Sequence, residues 1–379
     1  MPPSLDHRER STLGLTESDW SVVTMVLIIK ATVLIYGALS FQITSGERVR
    51  TLTHLLSIWN RWDGHQYLLI AQQGYGAAGD QRLALVFFPL YPWLIRLVAF
   101  VVRDPVVSAF AISTIASIIA GVALARLAAI DYSPHLARRA AWFLFIFPTS
   151  YFLHIDYSES VFLALLLMSF LAARRERWLR AGVLGAFAAL ARPNGILLLP
   201  ALGADALSEL WDTHHFNWRW LWIGLVPTGF GVYLWVNYRI TGDPLAFLKL
   251  ENSHWFDAMV APWRGIRVNL NIARDWDPAQ GAMIGTQVLF YLAVGLAGAI
   301  AAAFLMRPAY AVWMALNWLL FASQSWDISA PRYMLVMFPL FILAARLARR
   351  SHWDTAITVW SLMWLAMFAS EFVRGHWAF

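Results

Sequence analysis

Two uninterrupted apolar runs limit what this chain can become. Residues 106–130 read VVSAFAISTIASIIAGVALARLAAI, and residues 283–305 read MIGTQVLFYLAVGLAGAIAAAFL. Each is long enough to cross a bilayer, which takes about 20 apolar residues. Within a bilayer every backbone N–H and C=O has to be bonded inside the segment, so such a run folds as a helix. A transmembrane barrel has short segments of alternating polarity instead. The remainder of the chain agrees. Of its 379 residues 59% are hydrophobic and only 14% charged, an excess of apolar surface that a soluble fold of this length could not bury. The sequence therefore predicts an all-α, polytopic helical membrane protein.

Charge and residue counts remove several function classes. The formal net charge is +6, but much of the Arg stands beside apolar spans, as cytoplasmic anchoring charge does, so nucleic acid is not an expected partner. The chain has no cysteine, hence no disulfide and no thiolate metal site. The segment Val22–Leu39, which follows a polar N-terminal stretch, is too long for a signal-peptide core, lacks a cleavage site, and reads as the first span.

Short Arg-rich loops set the orientation, because such loops stay cytoplasmic. Three stand out: HLARRA with Arg138 and Arg139, ARRERWLR with Arg174, Arg175, Arg177 and Arg180, and RLARRSHWD with Arg346, Arg349 and Arg350. Alternation from these loops gives about eleven spans, without an internal repeat, in one transmembrane domain over residues 1–379. Residues 42–105 and 241–280 become outer loops. Within the first, FFPLYPWLIRLVAFVV begins with Pro89 and Pro92 and carries Arg96 at its centre, which predicts a juxtamembrane helix rather than a crossing. This layout places every polar cluster on the outer face, at the lipid boundary: RWDG, HIDYSES, RPNG, NYRITGDPLAFLKLENSHWFD and SWDISAPRY.

The stretch WNRWDGHQYLLIAQQGY, residues 59–75, is the most unusual of these, since it sets Arg61, Asp63, His65 and Gln66 beside Trp59, Trp62 and Tyr67. Amphipathic aromatics favour the membrane interface, and they offer the flat apolar faces on which a pyranose stacks. A carboxylate there could take the proton of a substrate hydroxyl; equally, Asp63 could cap a helix or pair with Arg61. HIDYSES holds His154, Asp156, Tyr157 and Glu159. Ionisable groups at a membrane face have a partner or a task, although Ser158 or Asp156 could serve only as a helix cap. RPNG contributes Arg192 at a helix end beside a turn. Arg332 in SWDISAPRY, accompanied by Asp327, is a fork of donors suited to phosphate or an arginine snorkelling to the headgroups. Lys249, Glu251, His254 and Asp257 share one outer loop, but their spacing matches no metal-ligand motif, and no metal or cofactor is expected.

The series RWDG-x-x-Y-L-x-I-A-x-x-G-Y followed by FFPLYP, then FPTSYFLHIDYSESVF, RPNG, TGDPLAFL and PRYMLVMFPLF, resembles the PIG-V family in content and order over about residues 59–340. That resemblance implies a GT-C fold, a multi-span helical glycosyltransferase using a polyprenyl-phosphate sugar on the outer or lumenal face. It places the catalytic base on Asp63, with Trp62 beside it, and carries the Y-S-E-S glutamate onto Glu159 and the P-R-Y arginine onto Arg332. The short, Trp-rich chain is similar to prokaryotic members, which implies a bacterial or archaeal cell membrane. The expected activity is an inverting, polyprenyl-phosphate-sugar-dependent transfer of a hexose, mannose by the resemblance, to a lipid or glycan acceptor. In this reading Arg332, Arg192 and Lys249 hold the donor phosphate. Trp62, Arg61, His65, Gln66, Tyr67, Asp156, Tyr157, Glu159 and His254 line the substrate, and membrane lipids surround the whole. The alternative is a transporter or flippase of lipid-linked sugars, which carries out no transfer; such proteins usually show repeat symmetry and bind near the midplane.

Overall fold

The structure, a computed structural model, describes residues 15–254 and 258–379; Asp257 lies outside the described residues. It is helical throughout, with no strand among the described residues and one isolated bridge between Met259 and Gln324. Four described helices are long and apolar enough to cross a membrane: Glu17–Ser45, Pro105–Ala128, Pro278–Leu305 and Ser351–Val373. The first opens with a reciprocal cap, Thr16 Oγ1 accepting from the Asp19 amide at 3.3 Å and the Asp19 carboxylate accepting from the Thr16 amide at 2.7 Å. It closes at Gly46 in the left-handed conformation, φ 74°.

The other apolar stretches form shorter pieces. Trp178–Ala191 has 14 residues, about 21 Å of helix against a hydrocarbon core of about 30 Å. The stretch 333–348 belongs to two helices, Ala330–Val336 and Pro339–Leu347, bent by 88°, where Pro339 has no N–H to continue the ladder. With that pair taken as one span, the full-length crossings number five. A hydropathy window registers apolar residues, not the continuity of a helix.

One expected crossing ends early. The helix Pro134–Phe145 gives way to buried irregular chain over residues 146–158. Irregular backbone deep in a membrane protein persists only when its polar groups are satisfied by protein. Lys30, buried in the middle of the first helix, donates Nζ to the His154 carbonyl at 2.6 Å. Ser117 Oγ donates to the Leu153 carbonyl at 2.5 Å, Thr149 Oγ1 to the Pro331 carbonyl at 3.0 Å, and the Tyr151 hydroxyl to the Ala378 carbonyl. This segment delivers Asp156, Tyr157 and Glu159 to the centre of the protein.

The helix Leu90–Val102 turns one apolar face outward, with Phe100 and Val101 86% and 79% exposed, and buries Tyr91 and Ile95. Its 13 residues extend about 20 Å, in keeping with a juxtamembrane helix. Arg96 points inward: its guanidinium donates to the carbonyls of Ala71 at 2.7 Å and Ile70 at 3.2 Å, closing the C-terminal end of the Asp63–Gln73 helix.

Polar side chains gather at the two ends of the helices. Ion pairs Asp19–Arg126 (2.8 Å), Asp131–Arg174 (2.6 Å), Asp205–Arg307 (3.3 Å) and Arg139–Asp354 tie helix termini together at one end. Asp63, Glu159, Arg192 and Arg332 meet at the other. The helix Glu159–Arg174 carries a member of each group, separated by its 16 residues, about 24 Å.

Candidate active site

The Asp63–Gln73 helix begins abruptly. Trp62 before it has φ 48° and ψ −116°, a conformation that costs an L side chain of order 1–3 kcal/mol and is held only where the surroundings fix it. They do so through Arg61, whose Nε donates to the Ile58 carbonyl at 3.2 Å and Nη2 to the Val373 carbonyl at 3.1 Å. The Tyr157 hydroxyl donates to the Arg61 carbonyl at 2.8 Å. Arg61 is thus bonded to backbone, and Asp63 pairs elsewhere. Gly64 permits the approach from below: a Cβ there would stand 2.9 Å from Asp156 Oδ2 and 3.0 Å from Asn60 Oδ1. We expect Gly64→Ala to displace the Asp63 turn, at a cost of about 1–3 kcal/mol for overpacking. Turnover should fall about tenfold while the protein still elutes as a folded species in detergent; wild-type turnover would show that the close approach has no bearing on Asp63.

Asp63, Arg332, Glu159 and Arg192 form a chain of alternating charge. Arg332 Nη1 donates to Asp63 Oδ2 at 2.8 Å and Arg332 Nε donates to Glu159 Oε1. Arg192 Nη1 donates to the same Glu159 oxygen at 2.5 Å and to Ser158 Oγ at 3.2 Å. The Glu159 and Arg332 side chains are 1% and 6% exposed, whereas Asp63 is 23% exposed, so Asp63 is the more accessible of the two carboxylates. The Arg332 guanidinium also lies 4.8 Å from the ring centres of both Phe152 and Tyr157, a geometry suited to a delocalised cation. The fork expected to face phosphate thus spends two of its edges on carboxylates, and Arg332 belongs to a single helical turn, Ala330–Tyr333.

On the far side of this chain opens a cavity of about 690 Å³, bounded by Glu159, Arg192, Asn194 and Arg332 and walled by apolar residues including Phe230, Phe247 and Phe321. RPNG forms its edge. Gly195 is needed there because a Cβ would come within 2.5 Å of the Ala188–Ala189 backbone. Asn194 Nδ2 donates to Asn317 Oδ1 at 2.9 Å. Two guanidinium groups stand at one end of the cavity; its other walls are mostly apolar, with Glu251, Asn252 and Gln324 as further polar lining.

The other sequence candidates divide into scaffold and periphery. Tyr67 is buried, shares a 2.8 Å hydrogen bond with Ser158 Oγ, and packs edge-on against Phe87 and Tyr91 of FFPLYP. That motif buttresses the helix carrying Asp63. No other residue donates to the carboxyl of buried Asp156, and burial, opposed only by its own amide, pushes that group up to about 8. His65 is exposed on the first turn of its helix, and burial of part of its ring, then the charge of Arg61, hold it below its ordinary value. Gln66 is half-buried, its Oε1 without a partner. The helix Ala246–His254 borders the cavity through Phe247 and Leu248, but Lys249 points away, 79% exposed and 2.6 Å from Asp243; that contact lowers the Asp243 carboxyl. His254 is exposed.

Trp377 was not singled out by its sequence context. It packs edge-to-face on Trp62 at 5.2 Å and donates Nε1 to the Ile328 carbonyl at 3.2 Å. The two indoles stand together next to the Asp63 turn, Trp62 being 44% exposed.

Comparison with known proteins gives the family and the fold. The family model for mannosyltransferase (PIG-V) matches residues 24–213. The mouse (Mus musculus) protein GPI alpha-1,6-mannosyltransferase 2 is 30% identical over 166 residues, 41% of this chain and 33% of that protein. Among solved structures, ArnT from Cupriavidus metallidurans bound to undecaprenyl phosphate aligns with a TM-score of 0.50 at 15% identity, covering 86% of this chain and 60% of that one. The oligosaccharyltransferase of Archaeoglobus fulgidus, tethered to an acceptor peptide, aligns with a TM-score of 0.52 at 12% identity, covering 94% and 55%. The chain thus spans about a third of the mouse relative it matches and 55–60% of these structures, and the structures establish the fold, that of GT-C glycosyltransferases. With half of its length matched by the family model, and with the family's ordered motifs converging on one charged cluster, the chain belongs to the PIG-V mannosyltransferase family of membrane glycosyltransferases.

Proposed function

We propose that the protein transfers a hexose, mannose by family, from a polyprenyl monophosphate to an acceptor on the extracytoplasmic face of a bacterial or archaeal membrane. The observation that carries this reading is the position of Arg192 and Arg332 between an apolar cavity on one side and half-open Asp63 on the other. The polyprenyl chain occupies the cavity, and its phosphate meets the two guanidinium groups. Arg192 has only its Nη1 engaged, so its remaining N–H groups are the principal phosphate donors, with the unused edge of Arg332 beside them. The acceptor enters past Trp62 and Trp377.

The chemistry then balances. The acceptor hydroxyl gives its proton to the Asp63 carboxylate. Its oxygen attacks the anomeric carbon from the face opposite the phosphate, so configuration inverts. The carbon–oxygen bond to phosphate breaks, its electron pair stays on the phosphate, and the monoanionic diester becomes a dianionic monoester. Preorganised cations stabilise charge that grows in the transition state. A donor trial tests this directly. Purified protein supplied with a panel of lipid and glycan acceptors should move mannose from polyprenyl-phosphate mannose onto an acceptor, releasing polyprenyl phosphate, and leave GDP-mannose intact. Turnover of the nucleotide sugar with the lipid donor untouched would exclude the cavity as the donor site.

Two further expectations follow from the same arrangement. Trp377→Ala should raise the acceptor KM about tenfold, the worth of one good aromatic contact, and leave donor affinity unchanged; an unchanged acceptor KM would remove the indole pair from the acceptor path. Orientation can be read by single cysteines, since the chain has none of its own. Ser158 and Ser329 are buried and make poor probes. Cysteines at exposed His65, Glu47 and Arg374 should react with an impermeant thiol reagent from outside, and one at exposed Glu176 should not. Labelling of Glu176 from outside would invert the proposed topology.

A further inference from the structure

A second cavity, of about 420 Å³, lies at the end of the helices opposite the active site, between the Glu17–Ser45, Pro134–Phe145 and Ser351–Val373 helices. Three basic side chains, His135, Arg138 and Arg139, surround it with Ser21, Thr358 and one carboxylate, Asp354. Asp354 pairs with Arg139 through Oδ2, its Oδ1 having no partner among the described residues. Arg138 is half-buried and has no hydrogen-bond or ion-pair partner among the described residues. None of its nitrogens is sealed from solvent, and the guanidinium is spent on no described protein group, which leaves the cavity one strong donor fork for an anion.

The surroundings identify which anion. Trp20 and Trp353, beside Ser21 and Asp354, are 44% and 41% exposed, and exposed indoles mark the level where headgroups meet hydrocarbon. Met25 and Trp142 form an apolar wall. Both bordering membrane helices continue inward on the same face with exposed apolar side chains, Ile28 on one and Leu362 on the other, a track for acyl chains that a free ion does not need. We propose that this cavity binds the phosphate headgroup of an anionic phospholipid, with Arg138 supplying the guanidinium and His135 and Ser21 completing the site. Basic pockets between spans serve this purpose in the anionic leaflet. The proposal rests on the membrane setting of these helices and stands apart from the transferase reading.

Native mass spectrometry of the full chain in neutral detergent tests it, with phosphatidylglycerol, phosphatidylcholine of matched acyl chains, and inorganic phosphate as probes. Wild type should retain phosphatidylglycerol about tenfold more tightly than phosphatidylcholine, the scale of one charged hydrogen bond. Arg138→Glu should abolish that preference, Arg138→Gln should reduce it, and the distant control Arg103→Glu should leave it intact. Equal retention of the two lipids by wild type, an unchanged preference in a folded Arg138→Gln protein, or inorganic phosphate displacing the lipid at comparable concentration would each overturn the proposal.

Discussion

Asp63→Asn should abolish sugar transfer while leaving a folded protein that still binds its donor. The amide keeps the shape of the side chain and one acceptor for Arg332 Nη1, 2.8 Å away in the wild type, but it cannot take the acceptor proton. A positioned base contributes about 10²–10⁴-fold, so turnover should fall by at least two orders of magnitude. Donor affinity should survive, because Arg192, Arg332 and the apolar walls of the cavity are untouched. The measurement is initial rate at saturating donor and acceptor, with donor binding followed separately. A variant retaining about a tenth of wild-type turnover sits outside that range, and the base would then have to be sought elsewhere.

The second large effect falls on Glu159, because it holds two arginines at once. Its carboxylate is 1% exposed and one oxygen accepts from both Arg192 and Arg332. Removing one partner of a buried ion pair costs about 3–5 kcal/mol; here the charge left without a carboxylate is Arg192, since Arg332 keeps Asp63. Glu159→Gln should therefore lower the thermal unfolding temperature in detergent and abolish transfer together, unlike Asp63→Asn, which should affect transfer alone. The double variant Glu159→Gln/Arg192→Gln should recover part of the stability, because residues in one network do not contribute additively. A Glu159→Gln protein as stable as wild type would mean that the two arginines are compensated by something other than this carboxylate.

Much of this site was legible in the sequence because each member interrupts an apolar context. RWDG, YSES, RPNG and PRY place charge, Gly or Pro where lipid-facing sequence has neither, and alternation from the Arg-rich loops brings all four to one face. The structure joins them through Arg332 and Glu159, and it replaces the possible Arg61–Asp63 pair with Asp63–Arg332. Partners distant in sequence were not legible. Trp377 reaches Trp62 only because the chain folds back after Val373, and nothing local to HWAF marks that contact. The Lys30 contact is of the same kind: its acceptor, the His154 carbonyl, is backbone and leaves no trace in side-chain patterns. Lys249 stands apart from Arg192 and Arg332 for a periodic reason: Phe247 and Leu248 face the cavity, and the next residue rotates out toward Asp243. Proline and 3₁₀ turns break several of the expected apolar crossings into shorter helices, as at Pro339.

Both the transferase and the flippase readings require a lipid groove and a polar head site, so the decisive measurement follows the sugar itself. Purified protein in liposomes, supplied with polyprenyl-phosphate mannose labelled in the sugar and with a panel of lipid and glycan acceptors, should move the label onto an acceptor. Polyprenyl phosphate should appear in equal amount, and Asp63→Asn should stop both. Label that crosses the bilayer still attached to its polyprenyl phosphate, at the same rate in wild type and Asp63→Asn, would contradict the account.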